Sequence, residues 1–247
     1  MKLISGILLF VFFLITAITA QEITADKILN RIDENMSSQN RIITSKMVIK
    51  GRRGSRTVES KSWTSGVEKS FTEYLAPARE KGTKMLKLKD QLWMYSPSTD
   101  RTIQISGHML RQSVMGSDLS YEDMMEDPKL QNSYDAAISG EEDFEGRSCW
   151  ILDLTANKKD VAYFMRKLWV DKERFIPLKE ELYAKSGKLL KKLELKDIKK
   201  FEGRWYPLRM IFKDMLKDGD GTEFIIEDIQ FNQDIPDYIF SKAALRR

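Results

Sequence analysis

Short polar turns divide most of this chain into apolar segments of strand length, and this feature restricts the fold most strongly. Strand-like segments run over 56–64, 67–76, 83–89, 91–96, 100–105, 147–155, 161–170, 175–184, 188–200, 205–216 and 222–231. Turn signals such as Ser65-Gly66, Lys89-Asp90, Ser186-Gly187 and Glu202-Gly203 separate them. Parallel neighbours would need much longer crossovers. The spacing therefore predicts a mainly β (α+β) protein with an antiparallel meander, although segment 188–200 also fits helical periodicity.

The alternation within individual segments predicts that both faces of the sheet are covered. Around residue 45, Ile43, Ser45, Met47 and Ile49 share one face. Segment 161–170 carries apolar residues on both faces, which is unlike a sheet with one face open to water. Either helices or a bound apolar ligand must therefore cover the second face.

Two regions differ from the strand pattern. Thr24 is a candidate N-cap for a helix in which Ile28, Leu29, Ile32 and Met36 share one face. Residues 106–146 form a break too long for a hairpin loop, and such insertions are often functional. Within the break, the run Ser120-Tyr121-Glu122-Asp123 predicts a capped short helix that Pro128 ends.

The chain begins with a targeting signal. Lys2, the apolar run 3–18 and the small residues up to Ala20 predict a cleavable signal peptide over residues 1–20. Retention of this segment as an anchor is the alternative. Residues 21–247 are predicted to form a single domain, and none of its segments reaches the ~20 apolar residues that a spanning helix needs. We therefore expect an exported protein.

Charge and cysteine usage exclude several classes. The 41 Lys and Arg residues nearly balance the 37 Asp and Glu residues and are scattered, so no nucleic-acid partner is predicted. The single cysteine, Cys149, excludes an internal disulfide and lies in an apolar run typical of a buried thiol.

The sequence does not favour an enzyme. His108 is the single histidine, and Ser106, Ser113 and Ser117 lie near it, but there is no Gly-x-Ser-x-Gly elbow. One His and one Cys cannot build a usual zinc or copper site. The run Asp218-Gly219-Asp220-Gly221 lacks the ligand series of a calcium loop and predicts a hairpin turn. We therefore expect no catalytic residues, no metal and no cofactor.

The methionines are concentrated in one part of the chain. Six of the twelve are Met85, Met94, Met109, Met115, Met124 and Met125. Methionine is flexible and polarizable, and it is over-used where a surface must accept irregular apolar partners. Ordinary filling of the core is the alternative interpretation.

Three runs and the C-terminal ending carry a family resemblance. The runs are Gly82-Thr83-Lys84-Met85-Leu86, Leu92-Trp93-Met94-Tyr95-Ser96-Pro97 and Met115-Gly116-Ser117-Asp118-Leu119-Ser120-Tyr121-Glu122-Asp123-Met124, and the ending is Ile235-Pro236-Asp237-Tyr238-Ile239-Phe240-Ser241. Together they resemble the outer-membrane lipoprotein-sorting protein family, whose members are similar to the periplasmic lipoprotein carrier LolA. The resemblance covers essentially the whole of 21–247. It points to a less characterised branch, and the carrier's cavity arginine has no match among the quoted residues.

The resemblance implies a half-open β-barrel, a curved antiparallel sheet whose concave face is covered by helices around an apolar cavity. It implies a non-enzymatic periplasmic carrier of lipoprotein or lipid acyl chains, served by an inner-membrane export pump and an outer-membrane acceptor. A lipid-sensing or lipoprotein-sensing module acting with a membrane partner, and a lipid hydrolase that uses His108, remain alternatives. The predicted cavity and lid residues are Met47, Met85, Trp93, Met94, Met109, Leu110, Met115, Met124 and Met125. Alternation alone does not say which face of the sheet is concave.

Overall fold

The computed structural model describes residues 23–51, 54–159 and 161–247. The predicted signal peptide lies outside the described residues. The helices are α1 (Ala25–Met36) and α2 (Tyr121–Met125). The strands are β1 (Asn40–Gly51), β2 (Gly54–Ser65), β3 (Lys69–Ala76), β4 (Lys84–Leu88), β5 (Gln91–Ser96), β6 (Arg101–Ile105), β7 (Tyr134–Phe144), β8 (Arg147–Ala156), β9 (Met165–Asp171), β10 (Pro177–Tyr183), β11 (Leu189–Phe201), β12 (Arg204–Asp214) and β13 (Gly221–Phe231). None of the helices in these residues is long and apolar enough to cross a bilayer.

All thirteen strands belong to one curved, unclosed antiparallel sheet, which confirms the predicted fold class. Their order is β6-β5-β4-β3-β2-β1-β13-β12-β11-β10-β9-β8-β7. The first and last strands therefore pair in the middle of the sheet, while β6 and β7 form its two edges. Because β6 and β7 follow each other in the chain, the connection between them has to cross the sheet from edge to edge. We call this connection, residues 106–133, the lid segment, and the face that it covers the inner face.

Helix α1 covers one end of the inner face. The Thr24 hydroxyl accepts a hydrogen bond from the Lys27 N–H at 3.3 Å, which confirms the predicted cap. Ile28, Leu29 and Ile32 pack against a patch of β8 and β9 that consists of Leu152, Leu154, Leu168 and Val170. Helix α1 therefore covers the face of the predicted strand 161–170 that carries Leu168 and Val170.

Two boundary predictions were wrong. Helix α2 ends at Met125, before the predicted stop at Pro128. The break was expected to extend to residue 146, but β7 occupies Tyr134–Phe144. Strand β7 is an edge strand, and most of its side chains are exposed, including Glu141, Glu142 and Asp143. Its sequence therefore lacks the alternation by which the other strands are recognised. The ambiguous segment 188–200 is a strand, β11, paired on both sides.

The hairpin between β12 and β13 requires glycine at two positions. Gly219 and Gly221 have φ of +101° and +90°, and an added Cβ would lie 2.6 Å from the Lys50 carbonyl oxygen and 2.5 Å from the Phe212 carbonyl oxygen. The Asp218–Gly221 run thus serves as a turn, as predicted.

Candidate functional site

The centre of the inner face is built from small hydroxyl side chains where a solid core would have large apolar ones. Ser45 and Ser60 lie opposite each other on β1 and β2, with their hydroxyl oxygens 3.1 Å apart. Ser62 and Thr72 form the next pair, on β2 and β3, at 2.9 Å. Each pair consumes one O–H donor, and the other O–H has no partner in the part of the chain that the structure describes. Their small volume leaves space between the sheet and the lid segment.

That space forms two adjoining chambers. The lid chamber, about 340 Å³, lies under Val114, Leu119 and Met124 of the lid segment. The helix chamber, about 430 Å³, lies beside it and reaches Ile32 and Met36 of α1. Their shared walls are Ser62, Thr72, Asp123, Met124, Glu126, Arg166, Glu180, Leu193 and Phe224. Both volumes fall in the range of pockets that hold small apolar ligands.

The shared wall contains a buried arginine. Arg166 on β9 is 7% exposed and contacts Glu126 of the lid segment at 2.5 Å and Glu180 of β10 at 3.5 Å. The rings of Tyr134 and Tyr163 lie 4.8 and 5.6 Å from its guanidinium carbon. Burial disfavours the charge, but the two carboxylates outweigh that cost and raise the pKa of Arg166. The pKa of Glu180 is also raised, because its burial outweighs the attraction of Arg166.

Further buried polar contacts attach the lid segment to the sheet. Lys191 of β11 pairs with Asp123 of α2, which also accepts a hydrogen bond from the Tyr163 hydroxyl. The Lys87 ammonium donates to the carbonyl oxygens of Met124 and Met125 at 3.4 and 3.3 Å, and burial lowers its pKa. Breaking the lid segment away from the sheet would therefore expose several charges together.

The middle and the C-terminal part of the lid segment are also fixed. Asp118 accepts hydrogen bonds from the Thr222 hydroxyl at 2.7 Å and from the Asp214 N–H at 2.9 Å. Near the C-terminal end of the segment, the Leu130 N–H donates to Asp33 of α1 at 3.1 Å. The predicted capping box is present in α2, with Ser120 and Asp123 bonding reciprocally.

The structure brings most of the residues predicted for the cavity and lid into one apolar cluster. Met47 and Met85 are buried in it, and the others pack against it: Met94, Met109, Leu110, Met115, Met124 and Met125. Met47 and Met124 line the lid chamber. Met94 and Met115 line a separate cleft of about 350 Å³ beside Arg56 and Glu80. Met85 accepts a hydrogen bond from the Tyr74 hydroxyl at 3.4 Å and fills core space.

Trp93 is the one member of the predicted set that lies elsewhere. It packs on the opposite face of the sheet with Phe71, Leu86, Phe240 and Leu245. Its neighbour Met94 points to the inner face because successive side chains of a strand alternate. The C-terminal residues that form the family-like ending therefore cover the outer face rather than the cavity.

The residues weighed for catalysis do not assemble. His108 is exposed, whereas Ser117 is buried and its hydroxyl donates to the Val114 carbonyl oxygen at 2.6 Å. Among the described residues, no three His, Cys, Asp or Glu side chains are grouped to hold a metal ion. Cys149 is buried, and this raises the pKa of its thiol to about 11.

Sequence reasoning missed the polar half of the site. Arg166, Glu180 and Lys191 each occupy an inner-face position of a strand. One signal was available, because Arg166 interrupts the apolar series of Phe164, Leu168 and Val170 on one face of its segment. A charge in such a series is expensive unless it is paired.

The fold and the covered cavity together define a LolA-like protein. A LolA superfamily protein from Nitrosomonas europaea superposes with a TM-score of 0.76 at 26% identity, covering 90% of this chain and 100% of that one. A chain from Vibrio parahaemolyticus described as an outer membrane lipoprotein-sorting protein domain has a TM-score of 0.79 at 25% identity, covering 91% and 98%. A DUF1329 family protein from Desulfovibrio piger has a TM-score of 0.79 at 27% identity, covering 88% and 96%.

The chain belongs to the family whose model, described as "-like: Uncharacterized protein", matches residues 66–247. No curated protein matches the sequence. The resemblance read from the sequence motifs is confirmed at the level of the LolA-like family.

Proposed function

We propose that this protein is a non-enzymatic periplasmic carrier that holds acyl chains of a lipoprotein or lipid in the lid chamber and moves them toward the outer membrane. The observation that carries the proposal is the hollow between the lid segment and the hydroxyl-lined centre of the sheet. The similarity to a protein described as lipoprotein-sorting supports the same cargo class.

The apolar walls of the lid chamber supply the binding energy. Met47, Val58, Leu182, Leu193 and Phe212 line it. Burying hydrocarbon stabilises a complex by roughly 0.8 kcal/mol per methylene, so even part of a long chain would be held without a specific polar contact. Binding of this kind tolerates variation in the rest of the cargo.

Loading and release follow from the covered position of the chamber. The lid segment crosses the sheet and pairs with Arg166 of β9 and Lys191 of β11. An inner-membrane export pump as donor and an outer-membrane acceptor as recipient would act by favouring different positions of the lid segment. A partner shifts such an equilibrium only through its differential affinity for the two states.

The proposal is tested by filling the chamber. We expect Ser62→Leu to place a side chain in the lid chamber and to weaken binding of the neutral fluorescent probe N-phenylnaphthylamine by about tenfold or more, because overpacking removes the site. Thr57→Leu is the matched control, since Thr57 is exposed on the other face of the same strand.

The readout is the dissociation constant of the probe for the wild type and both variants. Binding by the wild type and by Thr57→Leu, with loss in Ser62→Leu, supports the carrier. A wild type that binds neither the probe nor lipid, in fluorescence and in native mass spectrometry, overturns it.

A further inference from the structure

We propose that the lid chamber selects neutral, carbonyl-bearing chains, such as acyl esters and amides, over free fatty acids. The polar group of the ligand would accept hydrogen bonds from the Arg166 guanidinium and from the hydroxyls of Ser60, Ser62 and Thr72. This inference rests on the proposed function and names the chemical class of the ligand.

The charge balance of the lid chamber disfavours an anion. Its acidic and basic wall residues are three carboxyls, Asp123, Glu126 and Glu180, and two bases, Arg166 and Lys191. Both bases already have carboxylate partners. A bound carboxylate would therefore add a third acid to the surroundings of Arg166 without bringing a cation, and a buried charge without a partner is costly.

The lid chamber, in contrast, has a buried N–H donor of Arg166 in its wall that no described residue pairs with. A guanidinium carries five N–H donors, and the described contacts of Arg166 use one toward Glu126 and one toward Glu180. Its Nε is buried and has no hydrogen-bond partner among the residues that the structure describes. The rings of Tyr134 and Tyr163 lie on the guanidinium at 4.8 and 5.6 Å from its central carbon. A neutral carbonyl oxygen would supply an acceptor without adding charge.

The hydroxyl pairs point to the same ligand class. Within residues 23–51, 54–159 and 161–247, the pair Ser62 and Thr72 has one O–H without an acceptor, and so has the pair Ser45 and Ser60. Ser60, Ser62 and Thr72 line the lid chamber, whose remaining walls are mostly apolar. Each buried donor without a partner costs free energy. A hydrocarbon chain that carries a single hydrogen-bond acceptor would pair with such a donor and otherwise contact the apolar wall.

The test compares three probes with the full-length mature protein: methyl laurate, tridecane and laurate, the last at a pH where its carboxyl is ionised. Each displaces N-phenylnaphthylamine, which gives three dissociation constants. We expect methyl laurate to bind about tenfold more tightly than tridecane, because the ester accepts hydrogen bonds that an alkane cannot. A featureless apolar pocket would give the opposite order, since tridecane leaves water more readily.

Two variants assign the preference to residues. Arg166→Lys keeps the charge but loses the planar fork, so we expect the preference for methyl laurate over tridecane to fall about fivefold. Glu180→Gln removes one negative charge from the chamber wall. We therefore expect the affinity for laurate to rise about fivefold relative to the affinity for tridecane. Arg147→Lys is the control, because Arg147 pairs with Asp171 away from both chambers and should leave the ratios unchanged.

The outcomes separate this inference from the proposed function. If none of the three probes binds the wild type, the carrier proposal itself fails. If all bind but tridecane is the tightest, or laurate equals methyl laurate, the chamber binds chains without selecting a neutral carbonyl and only this inference is overturned. The wild-type series decides this even if a variant does not fold.

Discussion

Two regions of the inner face, the end under α1 and the centre under the lid segment, use the same antiparallel sheet in opposite ways. Under α1, Leu152 and Leu168 are completely buried and the helix fills the space above them. Under the lid segment, the middle strands present Ser60, Ser62 and Thr72, and a chamber of about 340 Å³ remains. The comparison shows that the hollow is made by residue size at a few inner-face positions, because the backbone of the sheet is continuous through both regions.

The two segments that cover the inner face, α1 and the lid segment, also differ in how they are attached to the sheet. Helix α1 packs through a fully buried apolar face, whereas the lid segment adds to its apolar packing a set of buried charges and hydrogen bonds from Arg166, Lys191 and Lys87. Removing one partner of a buried ion pair is costly, because the remaining charge is left buried without a partner. We infer that the first region supplies stability and the second supplies the binding site.

The largest expected effect comes from removing the charge between the chambers. Arg166→Leu leaves the buried carboxylates of Glu126 and Glu180 without their cationic partner. We therefore expect the free energy of unfolding to fall by about 3–4 kcal/mol in urea titrations. The half-exposed pair of Arg209 with Asp197 gives the contrast, and Arg209→Leu should cost less than about 1 kcal/mol. Equal losses of unfolding free energy in the two variants would show that the charges at the chamber contribute no more to stability than a half-exposed ion pair does.

A matched pair of leucines separates the solid region from the hollow one. Leu152→Ala should lower the free energy of unfolding by about 3 kcal/mol, because it opens a cavity in a filled core. Leu182 is 5% exposed and lines the lid chamber. We expect Leu182→Ala to cost about half as much, since part of its surface already lacks packing partners. If Leu182→Ala costs as much as Leu152→Ala in the same denaturation experiment, the chamber is filled by protein.

The pH dependence of stability should have opposite signs for two buried carboxyls. Burial raises the pKa of Glu180. Its contribution to the free energy of unfolding is therefore present below its unfolded pKa of 4.5 and is lost as pH rises through the folded pKa. Although burial opposes it, Arg147 and two backbone N–H groups lower the pKa of Asp171. Its contribution is therefore present above its unfolded pKa of 3.8 and is lost as pH falls through the folded value.

Amide substitutions measure these two contributions. Near neutral pH, Glu180→Gln should stabilise the protein and Asp171→Asn should destabilise it, each by an amount on the order of 1 kcal/mol. Thermal unfolding across the acid range checks both, and both differences should shrink at acid pH. Two differences of the same sign near neutral pH would contradict the assignment.

The sequence predicts the elements of this fold better than their arrangement. Turn dipeptides and alternation predict the strands, and Thr24 and Ser120 predict the starts of both helices. What local signals cannot predict is that β1 pairs with β13, which places β6 and β7 at opposite edges and stretches the lid segment across the sheet. Strand β7 escaped recognition because a polar edge strand has no buried face to impose a pattern.

For the site, the sequence predicts the apolar half only. Methionine enrichment identifies the cluster around Met47 and Met85, but alternation alone could not say that Trp93 lies on the outer face. The charges that meet at Arg166 come from β9, β10 and the lid segment, so their convergence depends on the tertiary fold. Arg166 could have been noticed within its own segment, but its partners Glu126 and Glu180 could not.

The most direct test of the central claim, that the space under the lid segment accepts a chain, is a crystal structure with a bromine-tagged methyl laurate. We expect anomalous density for the bromine inside the lid chamber, among Met47, Val58 and Leu182. The ester oxygen should lie toward Arg166 and the Ser62 hydroxyl. Bromine density confined to the outer surface, with the chamber closed by the protein's own side chains, would contradict the account.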